Sequence, residues 1–304
     1  MNDFFCSFHL QLSQIPLLSF KMSPTTTKQV GDSTSKPEGW NEFSRSYQNR
    51  IGACTMHGTA RLVDTTNSRY PFDDNSFVHD NGTGGGSILR NIKQNFPSTK
   101  ILATDISPGM LGLIDALHLP GVTTQLEDAC DLSGISDGTF THSLTSFMNQ
   151  FTPDMLATVH AMYRTLKPGG IAGFAIWGGG TDVDTIHNSA CTRLDPSYKR
   201  IDTYPRGSWS GEEEQRDAMM KAGFKDIEIL SLYMPFKFEC AEEFCEWWFG
   251  NHGNPVAKKF IDDWKEHGEG SLEELEKVAG DVVRKGFDDG KSMKMEAVLA
   301  WGRK

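Results

Sequence analysis

Phe77-Val78-His79-Asp80-Asn81-Gly82-Thr83-Gly84-Gly85-Gly86-Ser87-Ile88-Leu89 is the stretch whose reading decides the fold. It reads as a short strand, a glycine turn and the start of a helix. Such a turn lets the backbone approach a small ligand closely, and the helix N-terminus offers free N–H groups. The glycines alone specify little. Asp80, an acid at the strand end just before the first glycine, narrows the choice of ligand.

The residues downstream repeat the strand-and-helix theme. Residues 100–105 form a second apolar strand ending in Asp105. Ser107-Pro108 then opens a helix to about residue 117, with serine as N-cap and proline in the first turn. Residues 122–126 are a third strand, followed by Glu127-Asp128-Ala129-Cys130-Asp131, and residues 140–147 are a fourth. Thr152-Pro153-Asp154 caps a helix to about residue 166, which Lys167-Pro168-Gly169-Gly170 is expected to stop. Residues 171–177 are the fifth strand. Strands alternating with helices predict an α/β fold with a Rossmann-like, doubly wound sheet. Right-handed crossovers place every parallel strand's C-terminus on one edge, where open α/β sheets bind ligands. Asp80, Asp105, Asp128 and residues 146–150 therefore meet on one rim.

On the N-terminal side, residues 1–38 are polar and turn-rich beyond an interrupted apolar run, and disorder or loose attachment is expected. No basic residue precedes Lys21, so a secretory signal lacks its charged start. Met1 and Met22 are both possible starts. Residues 39–70 form a helical cap in which Trp40 and Tyr47 either pack in the core or line the mouth of the ligand site. On the C-terminal side come helices over 182–193 and from 210 to about 223, a strand over 224–233, helices over 241–287 with breaks near 250–254 and 268–270, and a last strand over 296–301. A strand, a helical insert and a final strand suggest a lid over the rim.

The 304 residues carry a formal net charge of −10. That balance argues against nucleic acid as a partner, because phosphate contacts need a basic face. No apolar run reaches the roughly 20 residues that span a bilayer, so no membrane association is expected. The six cysteines are scattered without zinc spacing, so no metal site is expected and buried free thiols in a reducing cytoplasm are.

Asp80 speaks against a dinucleotide, whose anionic pyrophosphate would lie over the turn, and Ser87 stands where the third glycine of the dinucleotide fingerprint belongs. S-adenosyl-L-methionine has no phosphate and carries a sulfonium and an α-ammonium, which suit an acid beside the turn. Asp105 has two acceptor oxygens for ribose hydroxyls. Asp128 is placed to accept from the adenine amino group while the Ala129 N–H meets the ring, with Asp131 a rival for that role.

The stretches Asp80–Gly86, Asp105 with Ser107 to Leu111, Glu127-Asp128-Ala129 and Leu166 to Gly170 occur in an order and spacing that resemble the class I S-adenosylmethionine-dependent methyltransferases. The resemblance covers residues 70–178 and implies a seven-stranded sheet with the last strand antiparallel, a cofactor-binding core over 71–178, and late strands over 179–304 with the lid helices at 241–287. A looser similarity over 40–304, to fungal small-molecule methyltransferases of the gliotoxin thiomethyltransferase type, rests on Asp80-Asn81, Phe147 to Asp154 and Glu296-Ala297-Val298. Thr83 and Gly85 depart from that pattern. Cofactor contacts are expected from Asp80, Asn81, Gly82, Gly84, Asp105, Ile106, Met110, Asp128, Ala129 and Asn149. Met110 either packs on the adenine or caps the core.

The implied reaction is in-line transfer of a methyl group to O, N or S of a small, hydrophobic metabolite, leaving S-adenosyl-L-homocysteine. Substrate contacts are expected from Tyr47, Gln150, Trp177 and Trp248, within an aromatic set that includes Trp209, Phe244, Trp247 and Phe249. His187 is the first candidate for a catalytic base, ahead of His142, His160 and His252; a thiolate or amine acceptor would need none. The expected form is a cytoplasmic monomer or homodimer. A cofactor-binding protein of the same fold that does not methylate is the alternative reading. An NAD-dependent oxidoreductase is the third.

Overall fold

The computed structural model describes residues 51–179, 181–201, 211–250, 255–286 and 292–304. Trp40, Tyr47, the 1–38 extension, Trp209 and His252 lie outside those residues.

Helix α1 (Ile51–Arg69) leads into β1 (Phe77–Asn81), the glycine turn and α2 (Ser87–Asn95). Then follow β2 (Lys100–Asp105), α3 (Pro108–Asp115), β3 (Val122–Leu126) and β4 (Phe140–Ser146). A short 3-10 turn (Asn149–Phe151) precedes α4 (Met155–Thr165), β5 (Leu166–Trp177) and α5 (Asp182–Leu194). The chain continues through α6 (Glu212–Ala222), β6 (Lys225–Lys237), α7 (Ala241–Phe249), α8 (Pro255–His267), α9 (Leu272–Gly286) and β7 (Ser292–Arg303). The helix starts follow their capping residues. Ser107 Oγ accepts from Met110 N at 3.1 Å, and Asp154 Oδ1 accepts from Ala157 N at 2.9 Å.

The strands form one seven-stranded sheet in the order β3-β2-β1-β4-β5-β7-β6. β1 through β5 pair in parallel, and β7 runs antiparallel to both of its neighbours. This is the expected Rossmann-like sheet with its last strand reversed. The strand order leaves β1 and β4 at the middle, so their C-terminal ends sit at the topological switch point where such sheets hold ligands.

Two boundaries differ from expectation. α4 ends at Thr165, as the helix stop at Lys167-Pro168-Gly169-Gly170 predicts, but β5 begins at Leu166, so the tetrapeptide is already within the strand. The register against β4 shifts between Phe140 and His142, and this irregularity accommodates the proline and the left-handed Gly169. β6 and β7 are longer than their apolar cores suggest. β5 ends at Trp177 opposite Ala297, but the β6–β7 ladder continues to Lys237 opposite Ser292. That two-stranded extension carries the α7–α9 insert past the end of β5.

The sheet's two faces have separate cores. Val78, Ile88, Leu89, Ile92 and Ile101 pack with α2 on one side, and Phe140, Val159, Met162 and Phe174 with α4 on the other. A third, larger cluster joins α1, α5, the β6–β7 extension and the insert through Trp177, Phe236, Phe244, Trp248, Phe260 and Trp301. α1 seats closely on β5 because Gly173 is bare: a Cβ there would stand 2.8 Å from Leu144 and 3.2 Å from Leu62. Trp301 completes this joint. Its indole N–H is shared between the Leu62 carbonyl at 3.3 Å and Thr66 Oγ1 at 3.1 Å, and its ring is 2% exposed.

Trp301→Ala is expected to destabilise the protein by about 3–5 kcal/mol, through the cavity and the lost helix-to-strand bond. Urea unfolding of the two proteins measures the difference; a change under about 1 kcal/mol would contradict this packing role.

Candidate functional site

Four strand ends build a cleft at the rim. Its lining includes Asn81, Gly82 and Gly84 after β1, Asp105, Ile106 and Met110 after β2, and Glu127, Asp128 and Ala129 after β3. Ser146, Phe147 and Met148 after β4, with Phe151, Thr152 and Pro153, form the opposite wall. The space amounts to about 780 Å³ including its open mouth, within the range of small-molecule sites.

The glycine turn has the backbone that its composition predicts. Gly82, Gly84 and Gly86 have φ of 69°, 50° and 81°. Gly82 is also sterically required: a Cβ there would lie 2.4 Å from Met148 Cγ, because Met148 folds over the turn. Phe147 holds a left-handed backbone itself, φ 55°, which is strained for an aromatic residue. Its ring packs 4.4 Å from that of Trp177.

Asp105 joins two segments. One carboxylate oxygen accepts from Gly84 N at 2.9 Å and the other from Ser107 N at 2.9 Å. Burial raises its pKa, and these backbone donors oppose the rise. Each oxygen keeps a lone pair for a ligand hydroxyl. Glu127 is tied to Gln125 and to Gly134 N, while Asp128 is exposed and accepts from Cys130 N at 2.8 Å.

Asp80 sits differently from its expected place. It is 1% exposed and is not among the cleft-lining residues. Its Oδ2 accepts from Thr83 Oγ1 at 2.9 Å and from Leu89 N at 3.3 Å, so it caps the helix after the turn, and its Oδ1 is buried without a partner. Burial pushes this carboxyl up to about 7, against the two hydrogen bonds that lower it.

Asn149 is fully buried, off the cleft wall, with both amide atoms unpartnered. Asn81, Gly82, Gly84, Asp105, Ile106, Met110, Asp128 and Ala129 are the expected cofactor residues that the structure brings together. Thr83, Ser87, Glu127, Ser146 and Phe151–Pro153 also line the cleft; Ser146 was expected on the rim and Glu127 and Phe151–Pro153 fall in the motif stretches, but none was expected as a cofactor contact. Ser87 was visible only as a break in the glycine pattern. Ser146 is reached from α1, where Thr59 Oγ1 lies 2.7 Å from Ser146 Oγ.

Of the expected substrate residues among those described, Gln150 and Trp177 bond each other and Trp248 bonds His187. Gln150 is a clamp: its Nε2 donates to the Trp177 carbonyl at 2.9 Å and its Oε1 accepts from Trp177 N at 2.7 Å. It continues the sheet beyond β4 and β5, with both amide atoms engaged by Trp177. Trp248 is 2% exposed, and its indole N–H donates to His187 Nδ1 at 3.1 Å. That bond corrects the assignment of His187 as a base. With Nδ1 accepting, the proton of the neutral ring is on Nε2, so no lone pair remains to take another. His187 is fully buried against Phe249 and Phe260, off the cleft wall, and burial holds its pKa down at about 4. His142 is likewise committed, to Thr141 and the Tyr70 carbonyl.

Comparison with known proteins agrees with this architecture. Residues 78–170 match the sequence model of a family described as Methyltransferase domain. Methyltransferase ucsB of an Acremonium species is 24% identical over 224 residues, 67% of this chain and 76% of that protein. Trans-aconitate 2-methyltransferase of Deinococcus radiodurans is 30% identical over 94 residues, 31% of this chain and 35% of its own. Among solved structures, the YcgJ protein of Bacillus subtilis aligns with a TM-score of 0.52 at 17% identity, covering 82% of this chain and 98% of that one. The fold is shared with that structure, and the matched domain over 78–170 and the likeness to methyltransferase ucsB agree with the motif resemblance.

The raised pKa of Asp80 has a stability signature. An acid whose folded pKa lies above its ordinary value of 3.8 stabilises the fold most below that value, and this contribution is lost as pH rises through about 7. Asp80→Asn removes the ionisation and keeps an oxygen acceptor. The stability of Asp80→Asn relative to wild type is therefore expected to increase from about pH 4 to about pH 7 and to level off above that in urea unfolding of the ligand-free protein. Parallel stability curves for the two proteins would refute a buried, proton-retaining Asp80.

Proposed function

We propose that this chain, whose fold is that of the class I methyltransferases, is an S-adenosyl-L-methionine-dependent methyltransferase acting on a small, hydrophobic acceptor. The observation that carries the reading is the charge of the cleft. Its ionisable lining residues are Asp105, Glu127 and Asp128, all acids, set around a glycine turn. A pyrophosphate is poorly matched to that wall, whereas a ligand with a sulfonium, a ribose and an adenine is well matched.

The residues fit the cofactor in chain order. Gly82 and Gly84 allow backbone approach at its amino-acid end, with the Asp80 carboxyl behind them. Asp105 accepts from the ribose hydroxyls. Asp128 and the Ala129 N–H serve the adenine edge, with Ile106 and Met110 as apolar walls. The cofactor supplies an electrophilic methyl group on a charged sulfonium. The protein's part is to hold an acceptor atom in line with that methyl and to exclude water, and alignment of this kind is worth on the order of 7–11 kcal/mol at best.

We place the acceptor side towards Phe147 and Trp177, behind which Phe236, Phe238 and Trp247 form a buried aromatic cluster. This supports an apolar acceptor, methylated at O, N or S. We place the enzyme in the cytoplasm as a monomer or homodimer in secondary metabolism. No helix among the described residues is long and apolar enough to cross a membrane. The occupied lone pair of His187 keeps one second reading in play, a protein of this fold that binds the cofactor without methylating.

Asp105→Ala is expected to lower cofactor affinity by at least about tenfold in calorimetry, with Asp105→Asn intermediate because it keeps one acceptor oxygen. Wild-type affinity in a folded Asp105→Ala protein would overturn the assignment. Incubation of lysate with methyl-labelled cofactor separates the two readings. A labelled metabolite formed in step with S-adenosyl-L-homocysteine supports transfer, and tight binding without turnover supports the alternative.

A further inference from the structure

β1 is covered on both faces, where parallel strands are ordinarily apolar, yet it buries three polar side chains in a row: His79, Asp80 and Asn81. Asp80 faces α2 and caps it. His79 and Asn81, two residues apart, share the other face. Their neighbours across the sheet are polar too. Ser143 on β4 stands beside His79, and Thr104 on β2 beside Asn81.

These four side chains form one hydrogen-bonded row. His79 Nδ1 lies 3.1 Å from Ser143 Oγ, and His79 Nε2 lies 2.9 Å from Thr104 Oγ1. The Thr104 hydroxyl donates to Asn81 Oδ1 at 3.3 Å. A hydroxyl has a single proton. Since Thr104 gives its proton to Asn81, it must accept from His79, so the imidazole carries its proton on Nε2. Its Nδ1 then accepts from Ser143. The His79 ring stacks on Phe140 at 4.6 Å and 10°, which fixes its plane, and burial holds it neutral with a pKa near 3.

The row therefore runs one way, from Ser143 through His79 and Thr104 to Asn81. Its end sets the Asn81 amide with the carbonyl inward. Asn81 Nδ2 is buried and has no partner, and Asn81 lies on the cleft wall. A buried donor left unmatched is costly until an acceptor meets it. The reversed row would put the Asn81 carbonyl oxygen in the buried position that Nδ2 now holds, beside a cleft whose ionisable residues are acids.

We propose that His79 and Thr104 are positioning residues that fix the Asn81 amide so that its Nδ2 donates to the α-carboxylate at the amino-acid end of the cofactor. This rests on the cofactor reading above, in which Asp105 and Asp128 take the ribose and adenine and the end of β1 is left for the amino-acid portion.

The test uses the full-length protein and two ligands, S-adenosyl-L-homocysteine and 5′-methylthioadenosine, which lacks the amino-acid carboxylate. Thr104→Val is isosteric and removes the hydroxyl; Thr104→Ser restores it. Calorimetry is expected to show Thr104→Val weakening S-adenosyl-L-homocysteine about tenfold, the size of one charge-assisted hydrogen bond, with Thr104→Ser within about twofold of wild type. Methylthioadenosine affinity should be the same in all three proteins. Nitrogen NMR of the wild type should show His79 as the Nε2–H tautomer, a readout that needs no variant to fold. Unchanged S-adenosyl-L-homocysteine affinity in Thr104→Val, equal loss of both ligands, or an Nδ1–H tautomer each overturns the proposal. Wild type that binds neither ligand overturns the cofactor reading itself and this inference with it.

Discussion

Asp105 accepts two backbone N–H groups, one from Gly84 across the strand gap and one from Ser107 at the start of its own helix. The cleft depends on that pairing. The glycine turn has left-handed φ at Gly82 and Gly84, and a turn of this kind has little of its own to hold it in one shape. A carboxylate bonded to the turn on one side and to the β2–α3 corner on the other fixes both at once. The same carboxylate is free to accept further, so the group that shapes the cleft is also the one best placed to read a ligand in it. Asp80 divides the labour differently: it caps α2 from behind the turn and leaves one oxygen unmatched.

The opposite wall is held by tertiary clamps. Gln150 bonds both backbone groups of Trp177 and extends the sheet where β4 and β5 diverge. Phe147, strained in its backbone, is wedged between Trp177 and the bare backbone of Gly58, where a Cβ would stand 2.9 Å from its ring. Phe147 faces the cleft on one side and the aromatic cluster of the insert on the other. The cleft and the insert's aromatic cluster thus share Phe147 as a common wall.

Much of the fold was legible because its signals are local. β2 and β3 have the boundaries their apolar runs suggest, Ser107 and Asp154 cap the helices they precede, and the expected break near 268–270 falls between α8 and α9. Most of the cofactor wall was legible for the same reason. A parallel sheet sends each strand's last residue to one rim, so naming the strand ends names the residues. The boundary difference came at Lys167-Pro168-Gly169-Gly170, which follows the end of α4 as a helix stop should and yet is drawn into β5 as an irregularity between the Leu166–Phe140 and Ile171–His142 pairs, with Lys304 bonded to Gly169 and Gly170.

By itself, the sequence determined the alternation of strands and helices, the acidic glycine turn, and hence the kind of ligand the rim suits, since periodicity, turn chemistry and charge are properties of neighbouring residues. Only the tertiary structure decided that β7 inserts between β5 and β6, that Gln150 and His187 are committed to Trp177 and Trp248, and that His79, Thr104 and Ser143 stand in one row behind Asn81. The physical reason is that a polar side chain's role is set by which partner takes its lone pair or proton. In this chain those partners lie between 25 and 64 residues away, brought together by strand order that no local pattern encodes.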